Sequence, residues 1–413
     1  MPADRDFVPV ILGTGLGAYN LARSLHEAFG VRSVALGRHA LRETAHSRIV
    51  AVRARRDFDD EEVIVSALQE LADELSQTHP GAPLLLLPTI EHYTNVVLRH
   101  RTELDDRYLV PLPDAATAAR VMNKTDFYAT CEALGVPHPE SLVVDVTALD
   151  DPHLGEDLPF GYPVILKPSD TDRYPRLRFE GHQKVYLLDD AAALRDVARR
   201  IYAAGYVGDL IIQEYLSGDE SVMRVANTYS DRDGRVRLVS VGQVALSEYN
   251  PDLVGNNNAI VTVPGPDIAD SVRTLLDGIG YHGFANVDVM LDRRTGLSKI
   301  LEVNLRPGAT AFYTMAAGGN LARCAADELV LGRRVSPFAT TAERLWLNVP
   351  YAVARWFAPA STRGVLRRAG RAGRVHTLRY GPDLSLRRRV DIARIDLRHT
   401  LDYVKFSGHR LNH

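Results

Sequence analysis

The chain has 413 residues, 46% apolar and 24% charged, with a net charge of −3 at neutral pH. Those proportions belong to a soluble globular protein and exclude disorder, collagen or a coiled coil as the main architecture; at roughly 150 residues per domain they point to two or three domains. The longest apolar stretches, residues 7–12 and 84–87, fall far short of the roughly 20 residues that span a bilayer.

No basic stretch followed by an apolar one opens the chain, so secretion is not expected and the cytoplasm is the expected compartment. Cys131 and Cys324 are too few for a disulfide framework or a cysteine zinc site. Charge is uneven: residues 341–413 carry 15 Lys+Arg against 5 Asp+Glu, and the preceding 340 residues carry 34 against 47. So acidic a body is a poor general nucleic-acid binder, and no nucleic-acid partner is expected. Arginine outnumbers lysine 44 to five, the lysines being Lys124, Lys167, Lys184, Lys299 and Lys405. Lysine offers a compact charge on a thin stem where guanidinium is a broad fork, so the three between 124 and 184 direct the search for a site.

In chain order, residues 7–13 read as a strand ending in glycines, 18–29 as a helix, and 32–36 and 48–52 as short strands. Residues 61–75 have helical spacing in Val63, Leu68, Leu71 and Leu75; 83–87 are a buried apolar strand, and 93–104 a helix. Strands separated by helices predict a parallel sheet covered on both faces. After a break at 111–114 and a further helix, residues 123–134 are helical, with Gly135 and Pro137 as stop signals. Strands follow at 141–144 and 163–167, then a polar loop at 168–181, a strand at 183–187 and a helix at 190–204. Strands at 209–214, 221–229, 236–246 and 259–263 lead to a helix at 268–279. Strands at 284–291 and 298–303 run into a small-residue helix at 314–331. The middle region therefore reads as α+β, with no internal repeat.

The turn Gly13-Thr14-Gly15-Leu16-Gly17-Ala18 between strand and helix suits a phosphate at a helix N-terminus. Leu36-Gly37-Arg38 replaces the acidic ribose holder of an NAD site, which leaves NADP open; the alternative is a tight turn that binds no dinucleotide. The sharpest signal is Asp288 followed by Glu302-Val303-Asn304-Leu305-Arg306-Pro307-Gly308. Glu302 and Asn304 are alternate strand residues and share a face. The short turn at 292–296 makes a hairpin that sets Asp288 across from them. Three oxygen donors without His or Cys suit magnesium, with manganese an alternative. Arg306 is placed to meet a developing oxyanion or phosphoryl group.

Lys167 ends an apolar strand, Val164-Ile165-Leu166-Lys167-Pro168, where an ammonium is costly unless it faces an anion. Lys124, at a helix start, is placed to meet a second phosphate oxygen, and Lys184 follows a loop long and polar enough to cover phosphates. Gln213, Glu214, Tyr215 and Leu216 end a strand whose backbone can meet an adenine edge, and Glu220 can reach ribose hydroxyls. Gly15, Arg224 and Asn257 are weaker candidates for substrate contact. None of the 14 histidines is assigned to metal; His182 and His282 read as ordinary polar side chains.

Taken in order, Asn123-Lys124, Leu166-Lys167-Pro168, residues 213–220, Asp288 and residues 302–308 resemble the ATP-grasp superfamily of carboxylate–amine ligases over about residues 7–332. The resemblance implies a Rossmann-like parallel-sheet domain (1–115), a first ATP-grasp subdomain with cover loop (116–206), a second with the metal site (207–335) and a basic C-terminal extension (336–413). It implies that Lys124, Lys167 and Lys184 contact ATP phosphates, residues 214–216 line adenine, and Glu220 holds ribose. It further implies that Asp288, Glu302 and Asn304 bind two magnesium ions, and that Arg306, with Lys184, serves the reacting acyl phosphate. Asn286 stands where the dipeptide ligases of the superfamily carry an arginine, so the chain looks more like the D-aspartate and amino-acid ligase branch. The expected activity is an ADP-forming ligase joining a carboxylate to an amine, such as D-aspartate to a peptidoglycan precursor. The alternatives are an NADP-dependent oxidoreductase and an ATP-binding regulator without turnover. In the extension, Trp346, Trp356 and Phe357 beside the arginines of 363–374 suggest a face for a membrane or an anionic cell-wall precursor.

Overall fold

The computed structural model describes residues 7–169, 174, 177–253 and 255–408, which form three sheets. In the first, β1 (Val8–Leu12), β2 (Ser33–Gly37), β3 (Val50–Ala54) and β4 (Leu84–Pro88) run parallel in the order β3-β2-β1-β4. Side chains alternate across a strand. Val8, Val10, Leu12, Leu84 and Leu86 therefore share a core with α2 (Glu61–Thr78) and α3 (Glu91–Arg99), while Ile11, Leu85 and Leu87 pack with α1 (Leu16–Phe29). Both faces are covered, which explains the unbroken leucine run of β4. The helix expected at 93–104 is divided at His100, with α4 (Arg101–Leu104) beyond it.

α5 (Ala115–Met122) and α6 (Lys124–Ala133) are capped by Asp114 and Asn123, whose side chains accept the first free N–H groups. β5 (Ser141–Val144), β6 (Val164–Pro168), β7 (Tyr186–Leu188) and β8 (Leu210–Glu214) make an antiparallel sheet in the order β5-β8-β6-β7. α7 (Ala191–Ala203) packs on it through Leu194, Val197 and Ile201. This corrects the expected boundary at 206: β8 pairs with both β5 and β6, so the small sheet extends through Glu214.

The largest sheet comprises β9 (Met223–Ser230), β10 (Val236–Ser247), β11 (Asn257–Val263), β12 (Gly283–Leu291), β13 (Ser298–Asn304), β14 (Phe338–Ala339), β15 (Leu345–Leu347) and β16 (Arg374–His376). Its order is β13-β12-β9-β10-β11-β15-β16, with β14 against β10. α8 (Pro266–Gly278) lies on it, and α5 and α6 join that core through Val121, Phe127 and Cys131 rather than the small sheet that follows them. The single helix expected at 314–331 is instead α9 (Tyr313–Ala316), α10 (Leu321–Ala325) and a π-helical turn over Ala326–Val330. Gly318 and Gly319 break it: Gly318 has φ +95°, and a Cβ on Gly319 would lie 2.7 Å from the Phe338 ring.

The basic C-terminal segment is not an appendage. β15 pairs with β11 and β16 with β15, which covers an otherwise open sheet edge. Trp346 is consequently buried, its indole N–H donating to Thr377 Oγ1 at 2.8 Å, and the surface role expected for it is corrected. α11 (Tyr351–Phe357), α12 (Ala360–Ala372) and α13 (Leu386–Lys405) complete the chain. Arg388 of α13 is 0% exposed. Its guanidinium lies 4.3 Å from the centre of the Tyr19 ring and 3.5 Å from the Asp383 carboxylate. Asp383 also accepts from Tyr19 Oη (2.7 Å), Ser47 Oγ (2.8 Å) and the Arg48 N–H (2.5 Å), tying the C-terminal segment to the first domain. Removing one partner from a buried charge pair leaves the other uncompensated. Asp383→Ala is therefore expected to lower unfolding stability by about 3–5 kcal/mol, read as a lower urea midpoint; a midpoint within error of the parent would refute this tie.

Candidate active site

The β12–β13 hairpin sets Asp288 directly opposite Glu302 and Asn286 opposite Asn304, with a register shift just after Asp288. Period two then brings Asp288, Glu302 and Asn304 together, as the sequence predicts. Asn304 Nδ2 donates to Asp288 Oδ2 at 3.4 Å and to Glu302 Oε1 at 3.2 Å. Burial, and then the neighbouring Glu302 charge, push the Asp288 carboxyl well above the usual range. The side chain of Glu302 is open to the cleft; partial desolvation by the surrounding protein acts the same way on it, but the charges of Lys124 and Lys184, the Asn304 hydrogen bond and Lys167 outweigh that and hold this carboxyl low. Two adjoining carboxylates and an amide, with too little positive charge for both acids, form a donor set that fits magnesium. Among the described residues no group of three His, Cys, Asp or Glu side chains offers another metal site.

Asn286 Oδ1 accepts from Asn227 Nδ2 at 3.1 Å, and Asn227 Oδ1 accepts the Gly308 N–H at 3.2 Å. The Tyr313 hydroxyl accepts the Asn227 N–H at 3.0 Å. A Cβ at position 308 would lie 2.8 Å from Asn286 Oδ1, so the chain after Arg306 needs glycine there. Among the described residues Arg306 itself donates only a long bond, 3.4 Å, to the Pro307 carbonyl, and its buried Nε has no partner there.

Facing this hairpin is a group of ammonium side chains. Lys167, at the end of β6, is buried; its Nζ donates to Tyr128 Oη and to Gln213 Oε1, both at 2.9 Å. Burial pushes its pKa down to about 8, Glu302 opposes the shift and Lys184 adds to it. Lys124 opens α6 and is also pushed down to about 8, by burial and by Lys167, with Glu302 opposing. Tyr128, one turn beyond Lys124, donates to the Leu301 carbonyl at 2.9 Å and so joins α6, β6 and β13.

A cleft of about 1040 Å³ collects Lys124, Lys184, Asn257, Asp288, Glu302, Asn304 and Arg306. Its opposite wall comes from the first domain and includes Thr89, Glu91, His92, Asn95 and Arg99. Lys167 and Gln213 sit behind this lining through Tyr128. Glu214, Tyr215, Leu216, Glu220, Gly15 and Arg224 do not line it. The Glu214 carboxylate is occupied by Lys299, by Arg294 at 2.5 Å and by the Glu140 N–H at 3.0 Å. Leu216 is buried against Val222 and Met290, and Glu220 is buried. Arg224 donates to the carbonyls of Ser221 (2.7 Å) and Met223 (3.0 Å). Gly15 caps α1, and the turn reaches the cleft wall at Gly17, where a Cβ would lie 3.6 Å from Ala309 Cα. The cover loop lies partly outside the described residues. His182 stacks on Tyr174, and His282 faces Glu328 at 3.6 Å.

Sequence reasoning missed Tyr128, Asn227, Tyr313 and the first-domain wall. Tyr128 had a signal, being four residues after Lys124 on one helix face. Asn227 sits in a strand that mixes apolar and polar residues and had no distinguishing local signal; the wall comes from a distant part of the chain.

These features, a parallel-sheet domain facing a small antiparallel sheet and a larger sheet with an acid-lined hairpin, define an ATP-dependent ligase of the ATP-grasp class. No family model matches the chain. It is 34% identical over 355 residues to the D-aspartate ligase of Enterococcus faecium, covering 84% of this chain and 83% of that protein. Among solved structures it is similar to the L-amino acid ligase of Bacillus licheniformis (TM-score 0.54, 15% identity, 79% of this chain and 74% of that one). It is likewise similar to the biotin carboxylase domain of the Hydrogenobacter thermophilus 2-oxoglutarate carboxylase, solved with MgADP (TM-score 0.59, 14% identity, 82% and 74%). The chain belongs to the ATP-grasp carboxylate–amine ligases, which form carbon–nitrogen bonds, with D-aspartate ligase as its relative. An NADP oxidoreductase is not favoured: Arg38 pairs with Asp59 at 2.7 Å, and the relatives are ligases. No described helix is long and apolar enough to cross a membrane.

Tyr128→Phe leaves the buried Lys167 with Gln213 alone and strips the Leu301 carbonyl of its donor. It is expected to lower unfolding stability by about 1–3 kcal/mol, checked by urea denaturation; an unchanged midpoint would show that the hydroxyl is not a structural tie.

Proposed function

We propose that the cleft activates the carboxylate of an acidic amino acid, D-aspartate, as an acyl phosphate at the expense of ATP and joins it to an amine of a peptidoglycan precursor. The observation that carries this is the convergence of Asp288, Glu302, Lys124, Lys184 and Arg306 on one cleft, in a chain related to D-aspartate ligase over most of both lengths.

A carboxylate is a poor electrophile because its leaving group is poor. In this reading a carboxylate oxygen attacks the γ-phosphorus and the bond from that phosphorus to the bridging oxygen breaks, releasing ADP. Lys124, Lys167 and Lys184 hold the triphosphate in line, since such transfer depends on positioning and charge. Asp288, Glu302 and Asn304 would hold magnesium, and bound magnesium would neutralise phosphate oxygens.

 Asp288 and Glu302 lie side by side with that role open to them. The amine nitrogen then attacks the acyl carbon and loses its proton, and the carbon–oxygen bond to phosphate breaks. Arg306, whose Nε has no partner among the described residues, donates to the oxygen on which charge develops. Water would hydrolyse the acyl phosphate, and the first-domain wall from Thr89 to Asn95 screens the cleft from it. For the nucleotide, the Glu214 carboxylate is committed to Lys299 and Arg294, which leaves the backbone of residues 214–216 as the part that would meet adenine.

Phosphate release from ATP is expected with D-aspartate plus a peptidoglycan-precursor amine, and to fall to background with NADPH in place of ATP or with D-alanine in place of D-aspartate. Release that prefers D-alanine would overturn the substrate assignment. Arg306→Gln is expected to lower kcat by about 10²–10³-fold with the Kd for ATP little changed; full turnover in this variant would remove Arg306 from the reaction.

The lysines give a pH dependence. Lys124 and Lys167, pushed down to about 8, are partly neutral in the free protein above that pH, and bound phosphates favour their charged forms. ATP binding near pH 8 is therefore expected to take up protons, and affinity to fall as the pH rises from 8 towards 10. Calorimetry in buffers of different ionisation enthalpy measures the uptake; a binding enthalpy independent of buffer would contradict it.

A further inference from the structure

We infer that the C-terminal helices form a docking face for an anionic lipid surface, a role separate from the ligase reading and independent of it. α13 buries one side through Ile392, Ile395, His399 and Tyr403. Its outer side carries Leu386 (80% exposed), Val390 (44%), Leu397 (59%), Leu401 (58%) and Val404 (61%). With Ala393, also exposed, their spacing of three or four residues makes one continuous apolar stripe along the whole helix.

A basic ridge borders that stripe. Arg387, Arg394, Arg398 and Lys405 follow one another at intervals of seven, four and seven residues, which keeps them on one flank. Among the described residues only Arg398 of these four approaches a carboxylate, Glu43 at 3.9 Å. α11 packs on α13 through the rings of Phe357 and Tyr403, 5.3 Å apart, and the residue before Phe357 is Trp356, 77% exposed. Trp356, Arg355, Arg363 and Arg367 line a hollow of about 510 Å³ between α11 and α12, and none of these arginines has an ion-pair partner among the described residues.

Charge complementarity selects the occupant. A helix with an apolar stripe, a basic flank and a neighbouring tryptophan suits the boundary between anionic headgroups and acyl chains. A second copy of the chain fits poorly, because pairing α13 with itself sets the basic ridge against its own image. Of the three acids of the helix, Asp391 is held by His46 and Asp396 by Arg379, which leaves Asp402 alone against the four cations of the ridge.

The test uses the full chain with vesicles of phosphatidylcholine alone or mixed equally with phosphatidylglycerol. Trp346 is buried, so Trp356 supplies the exposed fluorescence signal. Binding to the anionic vesicles is expected to exceed that to neutral ones at least tenfold, to shift the emission to the blue, and to weaken severalfold in high salt. The double variant L397E/L401E is expected to lose at least tenfold in binding, and R387Q/R394Q severalfold, with ATP-dependent phosphate release unchanged in both. Equal binding to the two vesicle types would overturn the inference. So would a dimer in sedimentation that L397E/L401E dissolves. Phosphate release is read separately, so a failed ligase reaction and a failed docking face remain distinguishable.

Discussion

The arrangement depends on two carboxylates held side by side. Asp288 and Glu302 are opposite one another on paired strands, and each makes ionisation of the other less favourable. An isolated hairpin in water would let them turn apart. Here Asn286 and Asn304 donate to Asp288, Asn304 also donates to Glu302, and the charges of Lys124, Lys167 and Lys184 act on Glu302 from across the cleft. The acids and the ammonium groups are each poorly placed without the other, and together they leave room for a ligand carrying both negative phosphates and a divalent cation.

Rigid support keeps these groups from relaxing. Behind the acidic hairpin, Asn227, Asn286, Tyr313 and Gly308 form a buried polar network in which the donors and acceptors named above meet. Beside it, Lys299 bridges Glu214 and Asp292, with Arg294 on the same two carboxylates. Buried polar networks of this kind fix one arrangement when their members are satisfied. They also explain why two of the five lysines, Lys167 and Lys299, are buried: each makes compact contacts that a planar guanidinium would not fit.

The sequence made the local parts legible. Alternation and helical spacing located nearly every strand and helix of the first domain, because each buries one periodic face. The triad of Asp288, Glu302 and Asn304 was readable because strand period two and a short turn determine which residues converge. Contacts between distant segments were not readable. Nothing local says that β8 returns to pair with β5 and β6, that α5 and α6 leave the small sheet for the larger one, or that the first domain supplies a cleft wall. The helix expected at 314–331 failed for a similar reason: its small residues fit a helix, but the close approach of Phe338 at Gly319 is a tertiary contact.

The C-terminal segment shows how little a charge count says about place. Its arginines divide into several physical situations. Arg388 is buried over Tyr19 and beside Asp383, and Arg368 and Arg379 pair with Glu343 and Asp396. Arg374 lies 4.0 Å from the centre of the Tyr351 ring. Others, such as Arg355, Arg367, Arg387 and Arg394, face outward without a carboxylate among the described residues. The tryptophans divide the same way, Trp346 inside the extended sheet and Trp356 on the surface. The inward half of this segment closes the sheet edge at β11 and ties it to the first domain; those attachments fix the orientation of the outward half. An apolar stripe bordered by basic side chains is thus presented on a helix that cannot turn them inward, because its other side is already committed to the core.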